Sequence, residues 1–173
     1  EYNFNVRSFG VNDMIVLPGH QGPNHPLRFD FGTTYDEIRR TMETENLDFY
    51  ESGGLIDMIK NDARIKEKPE RFMSTFEEAT HATFDVIFTY ARTVMDGVIT
   101  LFHDRGNRTL QVCHIINIET PDKLQDARDG AGRTLQLAEA LLNADNITEE
   151  LESIIEDFNI RHQNVGSYHI MTY

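Results

Sequence analysis

Cysteine is scarce in this 173-residue chain: Cys113 stands alone, so no internal disulfide can form, and so few thiols fit a reducing compartment, nucleus or cytoplasm. Long apolar runs are lacking too. The longest, Phe84 to Thr89 and Val112 to Ile118, fall far short of the roughly 20 residues that cross a bilayer. No basic segment followed by an apolar one opens the sequence, so nothing reads as a signal peptide. Basic residues are outnumbered, 16 against 29 acidic ones, for a formal net charge of −13. That charge repels phosphate backbones, and no basic stretch with interleaved aromatics is present, which argues against direct nucleic-acid binding. An acidic surface suits solubility or a basic protein partner, while a local cationic pocket could still take a phosphorylated peptide.

What is there is an ordinary globular balance, 39% hydrophobic and 26% charged residues, and the length suits one domain over residues 1–173. Three segments read as buried strands: Asn3 to Phe9, Phe84 to Thr89 and Val112 to Ile118, the last two nearly continuous in apolar and β-branched residues, as in a parallel sheet. Helical patterns lie between them, and alternation of strand and helix implies a sheet covered on both faces. Ile38, Met42 and Leu47 share one stripe over Tyr35 to Leu47, and Leu55, Ile56 and Ile59 repeat the spacing after a Gly53-Gly54 turn. Apolar positions from Val94 to Phe102 predict a helix that breaks at Gly106, and Leu124 to Leu142 a longer amphipathic one. Leu151, Ile154, Ile155 and Phe158 form the face of a last helix, with Thr148 its predicted N-cap and Glu149, Glu150 and Glu152 suited to its dipole.

Leu17 to Pro26 holds three prolines and two glycines and must be a loop, of a length that is often functional. Its two histidines, His20 and His25, have no accompanying cysteine or ordered carboxylates, so no metal is expected. Gly130-Ala131-Gly132-Arg133 lies in a helical pattern without the Gly-Lys-Ser/Thr of a nucleotide site and reads as close helix packing. Cysteine-dependent phosphoryl transfer needs a thiolate in a Cys-x5-Arg loop at a helix N-terminus. Cys113 fails that test, because Glu119 stands six residues on and Cys113 sits inside an apolar strand. Asp122, in the turn Asn117 to Lys123 at the carboxyl end of a strand, reads either as a general acid or as the cap of the following helix.

Val6-Arg7-Ser8-Phe9-Gly10, Leu17-Pro18-Gly19, Phe31-Gly32-Thr33-Thr34-Tyr35-Asp36, Gly54-Leu55, Arg64-Ile65-Lys66 and Lys68-Pro69-Glu70-Arg71-Phe72 follow one another in an order that resembles the Ssu seventy-two family of phosphatases of the RNA polymerase II C-terminal tail. The likeness runs on through Phe84 to Thr89 and His114 to Ile118 and covers almost the whole chain. It implies an α/β fold like the low-molecular-weight tyrosine phosphatases, a three-layer, open, mostly parallel sheet. It also implies removal of phosphate from serine in the tail repeats, chiefly the fifth heptad position beside a cis proline, in transcription termination and mRNA 3′-end processing in the nucleus. Implied partners are the phosphorylated tail peptide and a symplekin-like scaffold of the cleavage and polyadenylation machinery; no metal or other cofactor, nucleic acid or membrane is implied. Asp122 matches the second aspartate of the family's Asn-Val-Asp-x-x-Asp turn and would protonate the leaving serine oxygen. Leu17 and Pro18 resemble the loop beside the substrate proline, and Tyr50 and Met58 positions flanking the peptide groove.

The sequence also departs from that pattern. The family's Cys-x5-Arg-Ser loop precedes its Arg-Ser-Phe-Gly strand, and only a few residues precede Val6 here, so the resemblance implies a fold whose first strand, phosphate loop and first helix are missing from the chain, which would be inert by itself. Glu119 replaces the first aspartate of the turn, Thr89-Tyr90-Ala91-Arg92 stands for Thr-Cys-Glu-Glu-Arg, and Lys123 for an asparagine. A catalytically inactive relative that binds the scaffold or the tail is the alternative expectation.

Overall fold

Glu1–Thr80 and His81–Tyr173 form two compact units in the computed structural model, which describes residues 4–78, 83–106, 110–121, 123–163 and 165–173. In the first unit a short antiparallel hairpin, β1 (Ile15–Leu17) with β2 (Leu27–Phe29), is followed by α1 (Tyr35–Ser52), α2 (Leu55–Ile65) and α3 (Phe72–Glu78). Thr34 and Glu37 close a capping box at the start of α1, each accepting from the other's backbone N–H, which meets two of the donors a helix start leaves open. Ile38 and Met42 are fully buried as their spacing predicts, together with Tyr50, Ile56 and Ile59. Leu47 is not, being 43% exposed. Asn46 has a non-helical backbone (φ −168°, ψ 88°) that breaks the helical phase, and its side chain accepts from the Phe49 N–H at 3.1 Å, restarting the helix beyond the break. Gly54 caps α2 with φ of 73°, a backbone region that glycine enters without steric cost.

The expected strand over Asn3 to Phe9 does not form in residues 4–9, and Asn3 lies outside the described residues. Val6 is 78% exposed. Side chains hold this segment in place of a ladder: Arg7 pairs with Glu70 at 2.6 Å, Lys66 donates to the Ser8 carbonyl, and Phe9 packs edge-on to Phe72 with ring centroids 5.6 Å apart. Among the described residues of this stretch, Gly10 alone makes a strand-like bridge, to Arg71.

The second unit is a three-stranded sheet in the order β3 (Val86–Thr89), β4 (Val112–Ile118), β5 (Gly166–Thr172), carrying α4 (Arg92–Arg105), α5 (Leu124–Leu142) and α6 (Ile147–His162). Every residue of β4 after Val112 is buried. Ile116 and Ile118 meet Leu137 and Leu141 of α5 and Leu151, Ile155 and Phe158 of α6. Side chains alternate along a strand, so Asn117 faces the opposite way with its β5 partner Ser167, whose hydroxyl lies 3.9 Å from the Met95 sulfur of α4. The unit is therefore three layers, helix on sheet on helices. The sheet is mixed, not mostly parallel: β3 and β4 run parallel, β4 and β5 antiparallel. The reason is β5, whose polar Ser167 and His169 leave no continuous apolar run to read. Helix α6 begins one residue ahead of Thr148, and its cap is Asn146, whose side chain accepts from the Thr148 N–H at 3.1 Å.

Candidate functional site

Each unit carries one cluster that the sequence marks as functional. In the second unit it lies at the carboxyl ends of the parallel strands β3 and β4. The buried Thr89 hydroxyl donates to the Asn117 side-chain oxygen at 2.9 Å, and the Asn117 amide donates to Glu119 Oε2 at 3.0 Å. The same Glu119 oxygen accepts the backbone N–H of Arg92 at 3.1 Å. Ala91, the cap residue of α4, has no side chain with which to cap. Glu119 does that work from a remote turn, setting negative charge at the positive end of the helix dipole. The backbone of Thr120 is tied to Tyr90 O at 3.0 Å. Thr120 also packs under Gly130 of α5, where a methyl group would come within 2.8 Å of its hydroxyl oxygen. Close packing therefore explains the glycine at 130, as the sequence predicts, although nothing lies within 4 Å of a methyl at 132. Asp122, the expected general acid, lies outside the described residues. The cap position of α5 falls to Lys123, whose side chain makes no cap bond.

Cys113 is fully buried in β4. Burial pushes its thiol up to about 12, with the Asp85 charge adding to this and a hydrogen bond with Tyr173 opposing it. A thiol so raised is held in its protonated form near neutral pH, whereas the nucleophilic form of cysteine is the thiolate.

In the first unit a cavity of about 280 Å³ opens between the hairpin, residues 8–12 and α2. Leu17 and Met58, two of the expected peptide-binding residues, both line it. Pro18 is exposed at the base of the hairpin loop. Tyr50 is fully buried in the core, where its hydroxyl accepts the His20 backbone N–H at 3.3 Å. It touches the loop from beneath, and no part of it faces solvent. The loop is pinched shut at Gly19, where a Cβ would stand 1.7 Å from the His25 carbonyl oxygen, and it turns through bonds from Gly22 N to Gly19 O and from His25 N to Gly22 O. His20 Nδ1 lies 3.4 Å from Glu45 Oε2. Among the described residues no group of three His, Cys, Asp or Glu side chains could hold a metal ion, and no helix is long and apolar enough to cross a membrane.

Tyr35 and Lys66, which the sequence reading quotes only within motifs of the resemblance, and Asp62, which it does not single out, are polar residues of this cavity. The signal is present, since Met58 and Asp62 lie four residues apart on one face of α2 and Lys66 is the residue at its C-cap. Burial raises the Asp62 carboxyl, against the pull of Lys66, and burial with the nearby Asp62 and Glu70 charges raises the Tyr35 phenol. Burial also acts to raise Glu70, but hydrogen bonds from Arg7 and Lys66 outweigh it and hold that carboxyl below its usual range.

A polar turn at the carboxyl ends of parallel strands, next to a helix N-terminus, is the arrangement in which α/β proteins take up their ligands. Residues 1–173 match the family described as Ssu72-like protein, and the chain belongs to that family. It is 36% identical over 150 residues to the human RNA polymerase II C-terminal domain phosphatase SSU72 like protein 5, an overlap of 87% of this chain and 74% of that protein. It is 30% identical over 155 residues to the zebrafish (Danio rerio) RNA polymerase II C-terminal domain phosphatase SSU72, covering 90% and 77% of the two chains. Among solved structures, Drosophila melanogaster Ssu72 with symplekin, bound to a cis peptidomimetic of the C-terminal-domain peptide phosphorylated on its fifth-position serine, superposes with a TM-score of 0.88 at 28% identity, over 98% of this chain and 85% of that one.

Proposed function

We propose that this chain belongs to a phosphatase that removes phosphate from serine in the RNA polymerase II C-terminal tail repeats, the fifth heptad position among them, and acts in transcription termination and mRNA 3′-end processing. What carries the reading is the family match over all 173 residues, in a family whose relatives are named as phosphatases of that tail. A Drosophila member has been solved with symplekin and a tail peptide phosphorylated at the fifth position, which supports a symplekin-like scaffold and the phosphorylated tail as the partners; the nucleus is the proposed place of action. Asp122 is the general acid that protonates the leaving serine oxygen. Leu17 and Met58, on the cavity wall, and Pro18 at the loop base hold the peptide. Tyr50 contributes from below, by fixing the loop through His20.

The chemistry is that of a thiolate, and Cys113 is not that thiolate, because it is buried, protonated and inside a strand. On this reading these 173 residues hold no competent nucleophile and are inert by themselves. The fold is akin to the low-molecular-weight tyrosine phosphatases, with a first strand, phosphate loop and first helix that are not among these residues. In support, β3 has a hydrogen-bonded neighbour on only one side among the described residues. The second reading, an inactive relative that binds the scaffold or tail, is favoured by Glu119, whose carboxylate is already committed to Arg92 and Asn117.

The test is phosphatase assay of the chain on a tail peptide carrying phosphoserine at the fifth heptad position, with binding followed in parallel. Expected are phosphate-dependent binding and no turnover, unchanged by Cys113→Ser. Turnover abolished by Cys113→Ser would overturn the proposal, as would equal affinity for the unphosphorylated peptide. A protein that carries a Cys-x5-Arg loop together with this chain is expected to hydrolyse the peptide and to lose roughly 10²-fold or more of kcat on Asp122→Asn. Full binding without turnover there would favour the inactive relative.

A further inference from the structure

The cavity of the first unit has one carboxylate that makes no direct ion pair among the described residues. Glu70 is engaged twice, by Arg7 at 2.6 Å and by Lys66 at 3.3 Å, and Lys66 donates to the Ser8 carbonyl as well. Asp62 lines the same cavity, and among the described residues no ion pair or side-chain hydrogen bond is formed by its carboxylate. A carboxylate partly withdrawn from water and without a direct donor is one that a donor brought by a ligand can match.

The rest of the lining restricts what that donor can be. The walls are apolar, with Phe9, Phe31, Leu17, Met58 and Ile59 around the polar end. At about 280 Å³ the space falls just below the roughly 300–1,000 Å³ of sites for whole drug-sized ligands, and it suits one large side chain. An ammonium or guanidinium head would sit beside Lys66, one helical turn from Asp62, and be repelled by it. A neutral donor on a flat apolar body meets no such repulsion, and ring-on-ring contact with Phe9 and Phe31 favours an aromatic body.

We propose that this cavity is a subsite for an aromatic hydroxyl, the tyrosine side chain of a peptide ligand, with its ring against Phe9, Phe31 and Met58 and its hydroxyl donating to the Asp62 carboxylate. The peptide part of the statement rests on the phosphopeptide reading above; the aromatic-hydroxyl part stands on the cavity alone. Asp62 is then a specificity-determining residue: it distinguishes tyrosine from phenylalanine, which a purely apolar wall does poorly.

Two measurements on the 173-residue chain separate these parts. In the first, p-cresol and toluene are titrated while the methionine methyl resonances are followed by NMR, Met58 being assigned through Met58→Leu. The p-cresol is expected to shift the Met58 methyl and to bind about tenfold more tightly than toluene, and Asp62→Ala, at a helical site where alanine is well tolerated, removes that preference. In the second, two phosphoserine peptides that differ only by Tyr→Phe near the phosphoserine are compared by fluorescence anisotropy. A preference of about tenfold for tyrosine is expected, again lost in Asp62→Ala. Equal binding of p-cresol and toluene, or no shift at Met58, overturns the subsite even if phosphopeptides bind. Binding of p-cresol at Met58 without any phosphate-dependent peptide affinity keeps the aromatic-hydroxyl subsite and sinks the phosphopeptide reading.

Discussion

Replacing Cys113 with alanine and raising the pH from 8 to 10 isolates one buried proton. The thiol is fully buried in β4 and is pushed by desolvation from an ordinary 9.0 to about 12. Its pKa is thus raised on folding. Below pH 9 the folded and unfolded states both keep the proton, and the stabilisation is complete. Above pH 9 the unfolded chain releases the proton first, binds fewer protons than the folded one, and stability falls until about pH 12, where the folded thiol ionises too. The full shift corresponds to about 4 kcal/mol, and the part lost by pH 10 to roughly 1 kcal/mol. Cys113→Ala starts lower at pH 8, by about 1 kcal/mol for the lost contacts, but lacks this titration. Urea unfolding of both proteins at pH 8, 9 and 10 should therefore show their difference shrinking with pH and vanishing near pH 10. Staying at or below pH 10 limits the contribution of Tyr173, whose phenol is raised chiefly by its own burial. A constant difference across that range, or alkylation of the native thiol by iodoacetamide at the rate of a free cysteine at pH 7.5, would refute the buried-thiol argument and reopen Cys113 as a nucleophile.

Gly132→Ala should stabilise α5 by roughly 0.5–1 kcal/mol, since the added methyl meets nothing within 4 Å and the helix gains propensity. Gly130→Ala should fall about 1–2 kcal/mol below it in thermal melts, because its methyl would meet Thr120 at 2.8 Å. Glu119→Ala should lower stability by about 1–2 kcal/mol in urea unfolding, by uncapping α4 and leaving the buried Asn117 amide without its acceptor; Glu119→Gln, which keeps an acceptor oxygen, should cost less than half of that. Tyr50→Phe should quicken proteolytic cleavage in the loop 18–26, through loss of the bond to His20, and leave tail-peptide affinity within about threefold if Tyr50 acts only from the core. A larger fall in affinity with unchanged proteolysis would place Tyr50 in the groove after all.

The elements legible in the sequence are those whose side chains settle the matter alone. Val112 to Ile118 is buried almost throughout and forms a strand over the very residues of its apolar run; Leu124 to Leu142 is the helix its pattern predicts. The misses involve partners that are distant in the chain. Residues 4–9 have the composition of a strand, but Arg7, Ser8 and Phe9 are claimed by Glu70, Lys66 and Phe72, some 60 residues away. Conversely, β5 becomes a strand by pairing along the whole of β4, which its mixed polar and apolar residues do not announce. At the site, the resemblance brings Leu17 and Met58 to one cavity, while Tyr50 turns inward because the Asn46 break resets the phase of α1. Asp62 escapes notice because a single carboxylate on an amphipathic helix is ordinarily a solvated one.

The waist of the hairpin loop, where Gly19 meets the His25 carbonyl, leaves no room for any side chain there. Because that contact and the buried hydroxyl below it fix the neck, the exposed tip at Gln21, Pro23 and Asn24 is free to change in sequence or length without slackening the rim that carries Leu17. Tip and neck can thus diverge at different speeds: a library randomised at the tip should yield folded proteins with altered ligand preference, whereas any replacement of Gly19 should open the mouth of the cavity before it touches the core.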